Sequence, residues 1–140
     1  MITIKKQEIV KLEDVLHLYQ AVGWTNYTHQ PEMLEQALSH SLVIYLALDG
    51  DAVVGLIRLV GDGFSSVFVQ DLIVLPTYQR QGIGSALMKQ ALGDFKGAYQ
   101  VQLVTEQTEK NVGFYRSIGF ETLSTYDCIG MIWVDREKLQ

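Results

Sequence analysis

The sequence is short of cysteine, of long apolar runs and of basic clusters, and each shortage excludes a class of protein. Cys128 is the only cysteine, so no internal disulfide can form, which fits a reducing cytoplasm. The longest apolar run, Leu42–Leu48, is far shorter than the roughly 20 residues of a bilayer-spanning helix. The opening residues, MITIKKQEIV, contain no apolar signal-peptide core. We therefore expect a cytoplasmic protein that does not enter a membrane.

Basic residues are too few and too scattered for a nucleic-acid-binding surface. The formal net charge is -5 and the longest basic run is Lys5-Lys6, so no nucleic-acid partner is expected. An acidic balance mildly favours a cationic small molecule as a partner, although it is also typical of ordinary soluble proteins. His17, His29 and His40 do not have the spacing of a metal site such as H-E-x-x-H, and no metal is expected.

What the chain has instead is enough apolar sequence for one core. It contains 140 residues, 48% of them hydrophobic, and shows no repeat or linker, which predicts a single domain over residues 1–140. Apolar periodicity predicts strands over 2–6, 42–48, 52–60, 67–75, 99–105 and 131–134, and helices over 12–22, 31–38, 82–93 and 109–118. This order combines antiparallel hairpins with one central βαβ unit.

The turn between the strand ending at Leu75 and the next helix carries the clearest chemical signal. Pro76 ends the strand, and Gly82 and Gly84 stand at the start of the helix. The first N–H groups of a helix have no helical partner and form a positive dipole end, so an anion is stabilised there. Glycines would let a phosphate lie directly on the backbone. The spacing matches neither G-x-G-x-x-G nor a P-loop, because both need glycine where Leu87 stands.

Two segments resemble a known family. Residues 79–84, QRQGIG, are similar to the Q/R-x-x-G-x-G/A acetyl-CoA signature of the GNAT N-acetyltransferase superfamily, and residues 114–120, FYRSIGF, are similar to its later F-Y-x-x-x-G-F segment. The resemblance implies an α/β (α+β) fold: a mostly antiparallel sheet of six to seven strands, with a central splayed parallel pair and about four flanking helices. It covers roughly residues 42–120.

The resemblance also implies acetyl-CoA as cosubstrate. The pantetheine arm would pair with the main chain of the strand, and the pyrophosphate would lie on the amides of residues 80–85. The coenzyme-binding residues that it implies are Ile73, Val74, Gln79, Arg80, Gln81, Gly82, Ile83, Gly84, Ser85, Asn111, Phe114 and Tyr115. One position departs from the pattern: the family often has Asn seven residues before the tyrosine, and here Thr108 stands there, with Asn111 one helical turn nearer.

The implied reaction is direct acetyl transfer to a primary amine of a small molecule or peptide. Tyr115 matches the family's frequent general-acid tyrosine, and its alternative is a packing tyrosine. Asp71 is a candidate general base on the strand that enters the turn, with a structural, hydrogen-bonded carboxylate as its alternative. Glu106 is a further candidate base. The proton of the amine must be removed before attack, because an alkylamine has a pKa near 10.4.

The segment Trp24–His29 joins the first two helices, where this family often shapes the acceptor pocket. Trp24 and Tyr27 are candidate substrate-binding residues that could contact a cationic amine through their ring faces. Anchoring of the loop to the core is the equally weighted alternative. A homodimer is compatible with the resemblance, and an acyl-CoA-binding or sensing domain without efficient turnover is the alternative function.

Overall fold

The computed structural model describes residues 1–135 and 137. Its backbone divides into two compact units, Met1–Leu103 and Val104–Gln140, which are described separately below. The single domain expected over residues 1–140 stays a prediction. Within the described residues, no helix has both the length and the apolar character needed to cross a bilayer.

The first unit contains five strands and four helices, and the second begins with one further helix. The strands are β1 Ile2–Gln7, β2 Val43–Asp49, β3 Ala52–Gly61, β4 Ser66–Val74 and β5 Gln100–Leu103, and the helices are α1 Leu12–Ala21, α2 Thr25–Thr28, α3 Pro31–Ser39, α4 Ile83–Asp94 and α5 Glu109–Ile118. Short 3₁₀ turns cover Pro76–Tyr78 and Leu123–Tyr126. The predicted mixed α/β fold is confirmed.

The strands form one sheet in the order β1-β2-β3-β4-β5. The pairs β1–β2, β2–β3 and β3–β4 are antiparallel, and the pair β4–β5 is parallel. The described residues contain five strands rather than six or seven, and the parallel pair lies at one edge of the sheet rather than at its centre. The strand predicted at 131–134 is wrong, because these residues adopt neither helix nor strand.

Helices cover both faces of the sheet in the first unit. Ile44, Leu46 and Leu56 pack with apolar residues of α1–α3 in one buried cluster. Tyr45, the next residue along β2, points to the opposite face and donates a hydrogen bond to Asp94 of α4. A Cβ on Gly55 would lie only 3.4 Å from Leu87 of α4, so the missing side chain lets α4 approach the sheet. β2 therefore carries apolar side chains on both of its faces, whereas a strand at the protein surface would carry polar side chains on one face.

An irregularity in β4 opens the sheet where the parallel pair ends. The β3–β4 register shifts between Arg58, which faces Asp71, and Leu59, which faces Val69, so Gln70 is an extra residue in β4. The pairing of β4 with β5 stops at Val69. Residues 70–74 of β4 thus continue beyond β5 while still paired with β3. A bulge bends the strand that contains it, which accounts for the separation of β4 from β5 at this point.

Candidate active site

The turn between β4 and α4 is held in a conformation that exposes its backbone. Gly82 caps α4 with φ +78°, a left-handed conformation that glycine adopts without strain. Arg80 also has a positive φ of 66°, which is uncommon for a residue with a side chain. The turn is fastened at its base: the Gln79 side chain donates to the Val74 carbonyl at 3.1 Å, and the Tyr78 hydroxyl donates to Asp49 at 2.6 Å. The strained turn is therefore supported from both sides.

This turn presents a run of unused amides. Among the described residues, the backbone N–H groups of residues 80–85 have no hydrogen-bond acceptor, and the first amide of the region that does is Ala86, which donates to Gly82 at 3.0 Å. The amides of residues 83–85 are the first turn of α4, whose dipole end is positive. This geometry suits a phosphate or pyrophosphate held on the main chain alone, and the binding of one by residues 80–85 stays a prediction.

The open side of β4 supplies further main-chain groups. Leu75 donates to Val54 at 2.9 Å, so the antiparallel alternation makes Leu56 and Ile73 a hydrogen-bonded pair as well. The same alternation directs the N–H and C=O groups of Leu72 and Val74 away from β3, towards the side that β5 has left. Ile73 thus differs from the expectation, since its main chain faces β3 and its side chain is buried. Leu72, which the sequence interpretation did not include, has its main-chain groups on the open side instead.

Asp71 lies at the centre of a buried polar network. Its carboxylate accepts from Arg58 Nε at 2.7 Å, from the Tyr19 hydroxyl at 2.8 Å and from the Tyr27 hydroxyl at 2.9 Å. Arg58 also donates to the Ala37 carbonyl of α3 at 3.4 Å and to the Ser41 hydroxyl at 3.2 Å. Asp71 and Arg58 are only 2% and 4% exposed. The network joins β3 and β4 to all three helices on that face of the sheet.

These contacts favour the structural alternative for Asp71. Both carboxylate oxygens are occupied by donors, and Asp71 forms a buried ion pair with Arg58 at 2.7 Å. Burial, reinforced by the Asp71 charge, raises the pKa of Tyr19 and of Tyr27 above the ordinary phenol value. Burial alone would lower the pKa of Arg58, but the adjacent carboxylate raises it. Tyr19, Tyr27 and Arg58 therefore keep one protonation state around neutral pH, as expected of a structural network.

The two aromatic candidates for the acceptor pocket lie beside this network. Tyr19 makes edge-to-face contacts with both Trp24 and Tyr27, with ring centroids 6.1 and 5.1 Å apart, and the Trp24 and Tyr27 rings are tilted against each other. Tyr27 is buried and Trp24 packs, half-buried, against the core. Both therefore anchor the α1–α2 connection, the alternative reading of these residues. The structure does bring Trp24, Tyr27 and Asp71 together, as the pocket hypothesis requires.

Sequence reasoning missed Gln70, the bulged residue. Its exposed side chain donates to the Tyr27 hydroxyl at 3.3 Å, which links the open end of the β4–β5 pair to the buried network. Sequence reasoning also missed Arg58, the ion-pair partner of Asp71, although the sequence indicates it. Arg58 interrupts the apolar run LIRLV of β3, and a charge inside a strand buried on both faces requires a counter-charge. The bulge itself had no signal of that kind.

In the second unit, α5 presents the candidate acid. Thr108 caps the helix by accepting from the Asn111 amide at 3.1 Å, and the Asn111 side chain donates to Thr105. Thr108 therefore has a capping role, and the Asn111 amide group is engaged locally. Tyr115 is half-buried between Phe114 and Phe120, with ring centroids at 5.0 and 5.9 Å. Burial raises its pKa, so the phenol stays protonated.

Two smaller expectations have separate outcomes. Glu106, the further candidate base, is exposed, and its carbonyl accepts from Thr108 at 2.9 Å. The lone cysteine, Cys128, is exposed. The described residues bring no three His, Cys, Asp or Glu side chains together as a metal site, and the absence of a metal stays a prediction.

Comparison with known proteins indicates the same family that the sequence motifs resemble. Residues 40–122 match the family model described as "Acetyltransferase (GNAT) domain". The chain is 34% identical to the rice protein Serotonin N-acetyltransferase 2, chloroplastic, over 95 residues, which are 65% of this chain and 48% of the rice protein. It therefore spans about half the length of that curated relative.

Solved structures extend the similarity to the whole fold. A GNAT family acetyltransferase of Streptococcus pneumoniae TIGR4 is 88% identical, with a TM-score of 0.90 over 97% of this chain and 99% of that one. The PaiA N-acetyltransferase of Thermoplasma acidophilum, solved in complex with coenzyme A, is 20% identical, with a TM-score of 0.67 over 86% of this chain and 91% of that one. The latter similarity is one of fold alone.

Proposed function

Because the chain belongs to the GNAT acetyltransferase family, we propose that it transfers the acetyl group of acetyl-CoA directly to a primary amine of a small molecule or peptide. The observation that carries the proposal is the run of unpaired amides at residues 80–85, placed directly after a strand whose one side is open. The S. pneumoniae relative, which is named an acetyltransferase, supports the same reaction class.

The proposed coenzyme contacts are made almost entirely by the main chain. The amides of residues 80–85 bind the pyrophosphate, and Arg80 adds a charged contact at the rim. The main-chain groups of Leu72 and Val74 hydrogen-bond the pantetheine amides, as an added strand would. Gln79 acts indirectly, because its side chain is bonded to the Val74 carbonyl. Asn111 and Phe114 remain coenzyme-binding proposals in the second unit.

The amine must lose a proton before it attacks the thioester. For an amine with a pKa near 10.4, reaching the neutral form at pH 7 requires about 4–5 kcal/mol. Asp71 does not take that proton in this proposal, since its oxygens are occupied by Arg58, Tyr19 and Tyr27. Glu106 and solvent water remain as acceptors. Trp24 and Tyr27 wall the acceptor side, and Gln70 offers the exposed polar contact beside them.

The leaving thiolate is stabilised by Tyr115 in the proposed reaction. With ordinary pKa values near 10 for the phenol and 8.5 for the thiol, complete proton transfer is uphill by roughly 2 kcal/mol. Burial raises the Tyr115 pKa further. The phenol therefore acts mainly by donating a hydrogen bond that strengthens as negative charge develops on sulfur.

Two measurements on the purified chain test the function. Calorimetry with coenzyme A should detect binding, and a thiol-release assay with acetyl-CoA should show turnover with at least one class of amine in a panel of polyamines, amino acids, aminoglycosides and arylamines. Binding without turnover on any amine would favour an acyl-CoA-binding domain instead. No binding at millimolar coenzyme would refute both functions. The cytoplasmic location stays a prediction.

A further inference from the structure

The side chain of Gln70 is the exposed end of the buried network around Asp71. Its Nε2 donates to the Tyr27 hydroxyl at 3.3 Å, and Gln70 is exposed while Tyr27 is buried. Gln70 is also the extra residue of β4, and it directly follows Val69, the last residue of β4 that pairs with β5. Gln70 therefore stands where the pairing of the two parallel strands ends.

The Tyr27 hydroxyl determines which end of the Gln70 amide faces the network. A phenolic hydroxyl has one proton to donate and two lone pairs that accept. Tyr27 donates its proton to Asp71 Oδ1 at 2.9 Å and accepts from Arg58 Nη2 at 3.3 Å. Because a guanidinium can only donate and a carboxylate oxygen only accepts, the position left on the hydroxyl is a lone pair. Only the NH₂ group of an amide can occupy it, so Gln70 turns Nε2 towards Tyr27.

The amide oxygen of Gln70 is consequently directed away from the network. Within residues 1–135 and 137, no group donates a hydrogen bond to this Oε1. An exposed glutamine without a buried partner would present either end of its amide to a ligand, since the two ends exchange by rotation. Here the network, through Tyr27, makes the exposed end of Gln70 a hydrogen-bond acceptor.

The proposed path of the coenzyme leads to this oxygen. With the pyrophosphate on the amides of residues 80–85 and the pantetheine amides on Leu72 and Val74, the arm runs from the turn back along the open side of β4. Gln70 lies two residues before Leu72, roughly 7 Å further along the strand. From Val69 backwards that side of β4 is occupied by β5. The arm therefore ends, with its thioester, beside Gln70.

We propose that Gln70 Oε1 accepts a hydrogen bond from one N–H of the acceptor amine and so turns the nitrogen lone pair towards the thioester, an inference that rests on the proposed acetyl transfer. The lone pair forms the new C–N bond, the C–S bond breaks with its electron pair on sulfur, and nitrogen loses the proton that sulfur gains.

The orientation of the Gln70 amide matters for this step. An outward NH₂ group would donate to the lone pair of the amine and compete with its attack, whereas an outward oxygen uses only an N–H. A neutral oxygen also stabilises a protonated amine less than a carboxylate would. Gln70 thus binds the amine without holding it in its unreactive, charged form.

Steady-state thiol release tests the role of Gln70 with the amine of the panel above that is turned over fastest. Gln70→Met has a similar length but no acceptor, so KM for the amine should rise about three- to tenfold while KM for acetyl-CoA stays unchanged. Gln70→Glu keeps an acceptor and adds a charge. It should lower KM for the amine and lower kcat at pH 7, because it favours the ammonium form. A rise of the amine KM in both variants would indicate a structural role and overturn the inference.

The matched control is Gln90→Met on α4. Gln90 is also an exposed glutamine whose Nε2 is bonded, here to Asp94 at 3.3 Å, and its variant should have the kinetics of the wild type. Turnover by the wild type establishes the reaction independently of Gln70. An amine KM in Gln70→Met equal to that of the control would then overturn this inference alone, whereas no turnover of any amine by the wild type would refute both.

The fixed orientation of the Gln70 amide is measurable without any amine. Nitrogen-15 relaxation of the side-chain NH₂ groups reports their motion on the picosecond to nanosecond timescale. In the wild type, Gln70 Nε2 should be nearly as rigid as the backbone, whereas the exposed Gln20 of α1 should be mobile. Tyr27→Phe should make Gln70 as mobile as Gln20. Equal mobility of the two glutamines in the wild type would overturn the inference.

Discussion

Arg58 and Asp71 face each other across the β3–β4 pair and are the two buried charges of the described residues. Each side chain satisfies the other, and Tyr19 and Tyr27 complete the hydrogen bonding of the carboxylate. The network fixes the loop that carries Trp24 and the strand that carries Gln70. At this scale Asp71 is a positioning residue, and Tyr115 is the residue proposed to contact the reacting group.

Removing one partner of the buried Arg58–Asp71 pair should strongly lower the free energy of unfolding. We expect Asp71→Asn to lower the free energy of unfolding by about 3–5 kcal/mol, because the Arg58 charge would remain buried without a counter-charge. The control Arg116→Gln breaks the exposed Arg116–Glu121 pair and should change it by less than about 1 kcal/mol. Urea denaturation measures both. A stable Asp71→Asn protein with turnover reduced a hundredfold would instead identify Asp71 as the base.

Tyr115→Phe should act on catalysis rather than on binding. We expect kcat to fall by roughly 10²–10⁴, with KM for acetyl-CoA changed only slightly, because the hydroxyl is needed as charge develops on sulfur. Since burial raises the Tyr115 pKa, the phenol should stay protonated up to at least its ordinary value. Wild-type kcat should therefore not decrease through deprotonation of Tyr115 below about pH 10. Steady-state thiol release measures both. Tyr126→Phe, the same change at an exposed tyrosine, is the control; unchanged kcat in Tyr115→Phe would assign that residue to packing.

At the scale of elements, the bulge in β4 and the N-terminus of α4 cooperate. The bulge ends the pairing with β5 at Val69, and the turn after β4 presents its amides a few residues later. One strand therefore supplies open main-chain groups along its side, and the helix that follows supplies an anion-binding end. Neither element requires a charged side chain for the coenzyme binding that we propose.

A side chain placed among the amides should block the coenzyme. Gly84 lies in the first turn of α4, so Gly84→Val adds bulk where the pyrophosphate is proposed to lie, and we expect coenzyme A affinity to fall at least tenfold. Gly93→Val makes the same change in the same helix, where a Cβ meets nothing within 4 Å, and carries a similar helix-propensity penalty. Calorimetry compares the two. Equal affinities would remove the amides of this turn from the coenzyme site.

At the scale of the whole molecule, stability depends on keeping buried tyrosines protonated. Burial raises the pKa of Tyr19, Tyr27 and Tyr45, and Asp71 or Asp94 adds to the effect. The unfolded chain loses these phenolic protons near pH 10 while the folded chain retains them. The stability they contribute is therefore complete below pH 10 and is lost as the pH rises through the higher folded values.

Urea denaturation between neutral and strongly alkaline pH should show this loss. We expect the contribution of these tyrosines to the free energy of unfolding to be constant up to about pH 10. Above that pH it should decline by up to about 1.4 kcal/mol per pH unit for each tyrosine. Tyr45→Phe should make the decline shallower, and Tyr126→Phe at an exposed position should leave it unchanged. A decline of equal steepness in Tyr45→Phe would show that Tyr45 does not contribute.

Local patterns determined most of the strands and helices, including the hairpin of β2 and β3, and the glycine turn, because periodicity and turn residues act within a few positions of the chain. Tertiary structure decided what depends on pairing between distant segments: the bulge at Gln70, the open groups of Leu72 in place of Ile73, and the engagement of Asp71 by Arg58, Tyr19 and Tyr27. Residues 131–134 show the difference between the two, because their composition predicts a strand while the structure gives them neither helix nor strand.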